Sequence, residues 1–282
     1  MFFGVDVPNH GEYSDPDLLV DLAVETETAG WDGFFIWDHL VKHKDTRIPV
    51  ADPWVVLSAI AVHTKRVRLG PMVTPLARRR PWKLVRETTT LDHLSKGRLI
   101  LGVGLGARSK AEFDNFGDEG EPGVRAQMLD EAIEIITGLW SGESFHYQGV
   151  HYTIKETRFR PKPWQTPRIP IWVAGTLPHK KPLQRAARWD GAFPIGAGHS
   201  QVDMLTVEEV GDVVAYLEDN WQLKQDFDIV HLGITPTNDP ARSAEVAAQY
   251  AKAGVTWWLE NINPGRCTLD EARQRIRLGP PK

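Results

Sequence analysis

Three observations predict an α/β chain closed into a (β/α)8 TIM barrel. Apolar runs of strand length alternate with amphipathic runs of helix length eight times along the 282 residues. No linker-like composition break interrupts that rhythm, so residues 1–282 read as one domain. Helix-start signals recur along it: Asp15-Pro16, Asp52-Pro53 and Asp239-Pro240 pair a capping acid with proline at the first helical position, and Thr206…Glu209 and Thr268…Glu271 are capping boxes. Strand–helix alternation implies parallel pairing, and eight such units close into a ring. A doubly wound open sheet is the weaker alternative.

In chain order, Phe2–Val7 is the first strand, and the helix capped by Asp15 buries Leu18, Leu19, Leu22 and Ala23 before ending at Gly30. Trp31–Trp37 is the second strand, ending in Asp38-His39, with a helix from Pro53 to about His63. Val67–Thr74 is the third. The helix opened by Pro81 runs to Gly97 in spite of Thr88-Thr89-Thr90, which is poor helix material. Arg98–Gly106 is the fourth strand, residues 107–127 read as a long polar loop, and Met128–Trp140 is a helix on the spacing of Leu129, Ile133, Ile136 and Trp140. An extra β-hairpin over 145–152, turning at Gln148-Gly149, separates the fourth helix from the fifth strand, Ile171–Gly175. A helix over 181–188, a strand over 191–195, the helix from Thr206 to about Trp221, a strand over 227–235, the helix after Asp239, the strand 255–260 and the helix after Thr268 complete the ring.

The fourth strand is the most informative. Leu99, Leu101, Val103 and Leu105 occupy one face, Ile100, Gly102, Gly104 and Gly106 the other. The second face loses its side chains toward the carboxyl end, where bare backbone admits a flat ligand; a bulge or tight packing is the structural alternative. A dinucleotide fingerprint is excluded, because these glycines lie within the strand and not in the turn that opens a helix.

Composition sets bounds. Hydrophobic residues make up 41% and charged residues 25%, and the net charge is −4, which gives no electrostatic footprint for nucleic acid. No apolar run reaches the ~20 residues of a membrane span. The chain enters a strand directly, without a visible leader, and its single cysteine, Cys267, permits no internal disulfide; both fit the cytoplasm.

Barrel enzymes work at the carboxyl ends of their strands. That rule selects Asp6 with Asn9 and His10, Asp38 and His39, Met72 to Thr74, Gly104 to Gly106, Gly175 and Thr176, Ile195, Thr235 and Glu260. His39…His43 has an HxxxH spacing without the glutamate of a zinc protease, so no metal site is expected. Asp38 and Glu260 are two rim carboxylates able in principle to flank a glycosidic bond, and a GxSxG elbow is absent. His39 suits hydrogen bonding to a ring or acid–base work, or else merely fixes a loop; Arg78-Arg79-Arg80 suits phosphate or carboxylates, or else a solvated surface.

Six stretches together resemble the bacterial luciferase-like family of flavin- or deazaflavin-dependent oxidoreductases: Trp37-Asp-His39, Leu69–Pro75, Leu91–Gly104, Glu112-Phe113 with Phe116-Gly117, Leu139–Gly142, and Pro167–Gly175. The resemblance implies a planar cofactor in the barrel mouth, a catalytic His39 with Asp38 beside it, and a non-prolyl cis peptide at Met72-Val73 behind the ring. The cofactor-binding set it implies is Asp6, His39, Met72, Val73, Thr74, Gly104, Leu105, Gly106, Arg108, Ala174, Gly175 and Thr176. Loop 107–127 would cover a small organic substrate. Departures are Ala107-Arg108-Ser109 where many members carry Trp-Asn, and Leu105 where bacterial luciferase has an arginine; these put the FMN phosphate contact in question, with Arg108 able to replace it. The expectation is a reduced-FMN-dependent monooxygenase, supplied by a separate flavin reductase and homodimeric by family habit. The alternatives are a hydride-transferring enzyme of the deazaflavin coenzyme F420, whose acidic tail the arginine trio would suit, a hydrolase built on Asp38 and Glu260, and a non-catalytic flavin-binding homologue.

Overall fold

Parallel ladders join nine strands into one sheet that curls back on itself, in the order β3-β2-β1-β11-β10-β9-β8-β5-β4. The elements are β1 (Phe2–Val7), α1 (Pro16–Thr28), β2 (Gly33–Ile36), α2 (Pro53–His63), β3 (Arg68–Pro71), β4 (Thr74–Pro75), α3 (Pro81–Ser95), β5 (Leu101–Gly104), α4 (Pro122–Trp140), β6 (Phe145–Gln148), β7 (Thr153–Thr157), β8 (Ile171–Leu177), α5 (Lys180–Ala186), β9 (Gly191–Gly196), α6 (Val207–Asn220), β10 (Asp228–Gly233), α7 (Pro240–Lys252), β11 (Trp257–Asn261) and α8 (Leu269–Arg277). The computed structural model describes residues 1–42, 47–106, 110–196 and 204–282. Among these no helix is long and apolar enough to cross a membrane.

The two ends of the sheet are halves of the third strand expected from sequence, interrupted at Met72-Val73, whose peptide bond is cis. β5 pairs with β4, and a bridge from Leu69 to Leu99 brings the same segment against β3, so the ring closes. Glycine makes that seam possible. A Cβ on Gly70 would lie 1.9 Å from the Ile100 carbonyl oxygen, and one on Gly102 would lie 2.2 Å from that of Pro71. No side chain fits in either place.

The helix-start signals act as their chemistry dictates. Asp52 accepts from the Trp54 and Val55 amides and Asp239 from that of Arg242, and both capping boxes are complete. The three threonines stay in α3, and Thr88 and Thr90 turn their hydroxyls back onto the carbonyls of Leu84 and Arg86. Two expectations need correction. α4 begins at Pro122, six residues before Met128, because Glu121 caps it by accepting from the Gly123 amide. The hairpin is longer than 145–152: its second strand runs on to Thr157, and its turn is pinned to α4 by Glu131, whose carboxylate accepts from the amides of Val150, His151 and Tyr152.

Packing follows strand alternation. Leu99, Leu101 and Val103 face the helices, whereas Ile100 joins Phe35, Met72, Trp172, Ala174, Phe193, Val230, Trp257 and Leu259 inside the ring. The aromatic members of this plug interlock, Trp172 with Trp257 at 5.2 Å between ring centroids and Phe35 with Trp172 at 5.4 Å.

At the amino end of the ring Arg98 is buried and serves as a cap made from a side chain. Its guanidinium donates to the carbonyls of Ser95 (2.7 Å), Ala61 (2.7 Å), Val67 (2.9 Å) and Thr64 (3.1 Å) and to the Thr64 hydroxyl (2.9 Å). Arg98→Ala strands the last carbonyls of α2 and is expected to lower the unfolding free energy by about 2–4 kcal/mol. Denaturant unfolding measures this, and a loss within ~0.5 kcal/mol, as at an ordinary surface position, would show that the cap contributes nothing.

Candidate active site

A cavity of about 690 Å³ opens at the carboxyl ends of the strands. Of the residues proposed from sequence, Asp6, Asp38, His39, Met72, Val73, Gly104, Leu105, Gly106, Ala174, Gly175 and Thr176 border it. Arg108 lies outside the described residues, as does His43 of the HxxxH spacing. Thr74 does not border the cavity: fully buried behind its wall, it donates to Asp38 Oδ2 at 2.9 Å and accepts from the Trp54 indole at 3.2 Å.

The glycine face needs a finer reading than a hollow. A Cβ on Gly104 would meet the Val73 side chain at 2.8 Å and Ala174 Cβ at 3.4 Å. The space left by the glycines of β5 is therefore taken largely by the Pro71–Val73 segment, which is pressed into the cavity wall. The vacancy belongs to the wall as a whole.

The chemistry converges on Glu112, in the short 3-10 turn after β5. Its Oε1 lies 3.0 Å from His39 Nδ1 and accepts from the Leu40 amide at 3.1 Å, and its Oε2 accepts from Arg78 at 2.8 Å. Burial alone would raise the pKa of this carboxyl. The His39 hydrogen bond, the charges of His39 and Arg78 and the Val41 amide outweigh it and hold the carboxyl below its ordinary value. An ionised Glu112 accepts from Nδ1–H, so that whenever the imidazole is neutral its lone pair lies on Nε2. The His39 side chain is 24% exposed, and Nε2 makes no hydrogen bond among the described residues. Asn9 fixes the backbone beneath it, donating to the carbonyls of His39 and Ala51 and accepting from the His39 amide.

Asp38 borders the cavity with both oxygens engaged. Arg79 reaches them at 3.0 and 2.9 Å, Arg78 approaches Oδ1 at 3.3 Å and Thr74 donates to Oδ2, so the carboxylate anchors two arginines. Arg78 and Arg79 do receive carboxylates, but those of Glu112 and Asp38, and so do not offer themselves to an acidic coenzyme tail. Glu260 is also misplaced for hydrolysis. It is fully buried outside the cavity lining, between Arg266 (2.7 Å) and Arg275 (3.5 Å), and it accepts from Thr235 and Trp258. The Asp38–Glu260 pair flanks no substrate space.

Sequence reasoning named no role for Glu112, Arg125 or Asn261, all in the cavity lining. Arg125 lies over the Phe113 ring at 4.0 Å and donates to the Leu105 carbonyl at 3.0 Å, tying α4 to the end of the fourth strand. The available signal was the Glu112-Phe113 dipeptide, an acid beside a large apolar residue in an otherwise polar loop. Asp6, at the end of β1, is 1% exposed and accepts from the Trp37 indole at 2.6 Å through Oδ2. Burial pushes its pKa well above the usual carboxylate range, and the Trp37 bond offsets only part of that.

The sequence pattern of the luciferase-like monooxygenases matches residues 1–205. An uncharacterized protein of Mycobacterium tuberculosis is 38% identical over 243 residues, which is 83% of this chain and 77% of that protein. An F420-dependent glucose-6-phosphate dehydrogenase of Microbacterium testaceum is 35% identical over 170 residues, 59% of this chain; the chain spans about half (49%) of that relative's length. Among solved structures, an F420-dependent secondary alcohol dehydrogenase in complex with an F420–acetone adduct superposes with a TM-score of 0.76 at 16% identity, covering 98% of this chain and 97% of the other. The coenzyme F420-dependent tetrahydromethanopterin reductase of Methanopyrus kandleri gives 0.75 at 18%, covering 98% and 96%. A monooxygenase from Streptomyces bottropensis gives 0.71 at 20%, covering 99% and 97%. At these identities the structural likeness is one of fold.

The depressed pKa of Glu112 has a consequence for stability. A carboxylate held more strongly in the folded state stabilises it fully above the ordinary glutamate value of about 4.3, and that contribution drains away as pH falls through the lowered native value. The native protein is expected to exceed Glu112→Gln in stability at pH 7, with the gap closing as pH falls below about 4. Denaturant midpoints between pH 3 and 8 test this, and a gap independent of pH would remove the charge from the account.

Proposed function

The chain belongs to the luciferase-like monooxygenase family, and from that premise we propose that it is a deazaflavin (coenzyme F420)-dependent oxidoreductase that oxidises a small hydroxylated substrate, or runs the reverse reduction. The observation that carries this reading is the oriented imidazole: His39 in the cavity wall, fixed through Nδ1 at 3.0 Å from a carboxylate that Arg78 holds in place. Oxidation of a carbinol releases a proton from its hydroxyl, and the imidazole nitrogen that Glu112 leaves unengaged, on a residue of the cavity lining, is a suitable acceptor for it.

The cavity suits a tricyclic cofactor. Its volume is within the range of small-molecule sites, Met72, Val73, Ala174 and Leu232 give it apolar wall, and Asp6, Thr176 and Asn261 give it hydrogen-bonding groups. A bound deazaflavin would supply a two-electron hydride acceptor, which reacts poorly with oxygen. Met72 and Val73 would back the ring, Gly175 and Thr176 would lie toward its side chain, and His39 Nε2 would take the hydroxyl proton. Glu112 keeps Nδ1–H in place and stabilises the imidazolium that results, as a carboxylate does behind any histidine base. The F420-dependent proteins among the relatives and structural neighbours support deazaflavin over the FMN that the sequence alone favoured. The FMN monooxygenase remains the second reading, favoured by the monooxygenase neighbour.

Fluorescence titration with coenzyme F420 and with FMN separates the two, and the expected result is preferential binding of F420. With F420 and a panel of alcohols and sugars, His39→Ala is expected to lower kcat by about 10²–10⁴-fold while cofactor affinity changes by no more than ~3-fold, the residue being a proton acceptor rather than a main binding contact. Binding of FMN alone, with oxygen consumption, would replace this reading with the monooxygenase.

A further inference from the structure

Ile195 stands near the carboxyl end of β9, and the proton transfer just described makes no use of it. Alternation fixes its direction. Phe193 lies inside the ring, so Ile195, two residues on, faces the mouth above it, in register with Thr176 of β8. There it borders the cavity with 41% of its surface exposed. Leu232 of the neighbouring β10 packs on the same inner cluster and also borders the cavity. Met204 adds a thioether to this side of the lining: its sulfur lies 3.8 Å from Asn261 Nδ2 at the end of β11, and the Tyr250 hydroxyl anchors the next residue by donating to the Leu205 carbonyl at 2.7 Å. This apolar face lies across the mouth from the base. With β3 and β4 taken as one interrupted strand, the way round the ring from β2 to β9 passes β1, β11 and β10 in one direction and β3/β4, β5 and β8 in the other. His39 follows β2, so it and Ile195 stand on opposite sides.

Resting on the cofactor-dependent reading above, we propose that Ile195, with Leu232 and Met204, forms the specificity-determining face of the substrate site, and that the substrate is an uncharged alcohol with an alkyl or aryl body, or the matching ketone or aldehyde, rather than a sugar. The reading sets the cofactor against Met72 and Val73 and toward Gly175 and Thr176, on the β3/β4, β5 and β8 side, which leaves the β9 and β10 side to the substrate. A carbinol presented to His39 extends its substituents across the mouth toward Ile195. The side chains of Ile195 and Leu232 carry neither donor nor acceptor, and the Met204 thioether is a weak acceptor. A sugar hydroxyl laid against them loses water and gains no partner, which is unfavourable for each hydroxyl. A methylene laid against them leaves water at a gain. Selection therefore acts on what the substrate carries away from its reacting carbon.

The experiment follows one homologous series, 2-butanone, 2-pentanone and 2-hexanone, with glucose and glucose 6-phosphate as polar comparators. Native protein, Ile195→Leu and Ile195→Asn are each saturated with whichever of F420 and FMN the native protein binds, and Kd is read by isothermal titration calorimetry, which needs no turnover. Native Kd is expected to tighten by about 4-fold per added methylene, with the negative heat-capacity change that marks apolar burial. Both sugars are expected to bind at least ~10-fold more weakly than 2-hexanone. Ile195→Asn is expected to weaken 2-hexanone by about 10-fold and 2-butanone by less than ~3-fold, whereas Ile195→Leu keeps the native slope. With F420, kcat/KM for the matching 2-alkanols should rise in the same order. The proposal is overturned if Kd is flat along the series, if either sugar binds as tightly as 2-hexanone, or if Ile195→Asn weakens short and long ketones alike. Binding of FMN and not F420 would overturn the function proposed above, while the ketone series, read on the FMN-loaded protein, still decides the role of Ile195.

Discussion

One buried carboxylate joins the parts of this active face. Glu112 arrives on the turn after β5, takes the imidazole of His39 from the end of the second strand, and takes the guanidinium of Arg78 from the segment after the third. Three stretches that the chain delivers separately become one rigid assembly. Isolated charges are too costly to bury in this way, and the desolvation is offset only because nearly every lone pair finds a donor. Oε1 accepts from His39 and the Leu40 amide and Oε2 from Arg78, while Arg78 also donates to the Asp38 carbonyl at 2.7 Å. A second pair, Asp38 with Arg79, lies beside the first and is held by Thr74 and, behind it, Trp54. The imidazole of His39 and the groups that fix the surrounding loops thus belong to one network.

The barrel seam explains where that network can form. Gly70 and Gly102 let the third strand and β5 approach through backbone alone, and the chain at Met72-Val73 is thereby pushed toward the cavity. Below this level the ring is filled by Phe35, Trp172 and Trp257. Above it the inward positions are Asp6, Gly104 and Ala174, and the filled core gives way to the cavity. The division between packed base and open mouth is thus written in side-chain size along each strand, as it is in barrels generally.

Membership in the luciferase-like monooxygenase family fixes the scaffold and leaves the chemistry to the site. The site has an imidazole hydrogen-bonded to a buried carboxyl group on one wall and a second buried carboxyl, that of Asp6, on another. Their environments differ in a definite way: Glu112 has an arginine and backbone amides around it, which lower its pKa, whereas burial around Asp6 raises its pKa. Two carboxyl groups of similar intrinsic strength are pushed in opposite directions by what surrounds them.

The sequence alone determined whatever depends on local chemistry. Cap residues, proline at helix starts and alternating strands marked the eight-fold rhythm, and the rule that barrel sites lie at strand carboxyl ends selected Asp6, His39, Met72 and Gly175 without knowledge of any contact. It was legible to that extent because each signal spans only a few residues. What a side chain meets across the ring was not legible. Asp38 and Glu260 look alike in a list of rim carboxylates, yet the first is tied to Arg79 and the second lies buried between Arg266 and Arg275. Glu112 stands 73 residues from His39 in sequence and 3.0 Å from it in space. Pairings of that kind are made by closing the barrel, because only closure brings the ends of distant strands around one mouth, and so the tertiary structure alone decided which acid has its pKa lowered, which has it raised and which histidine nitrogen Glu112 engages.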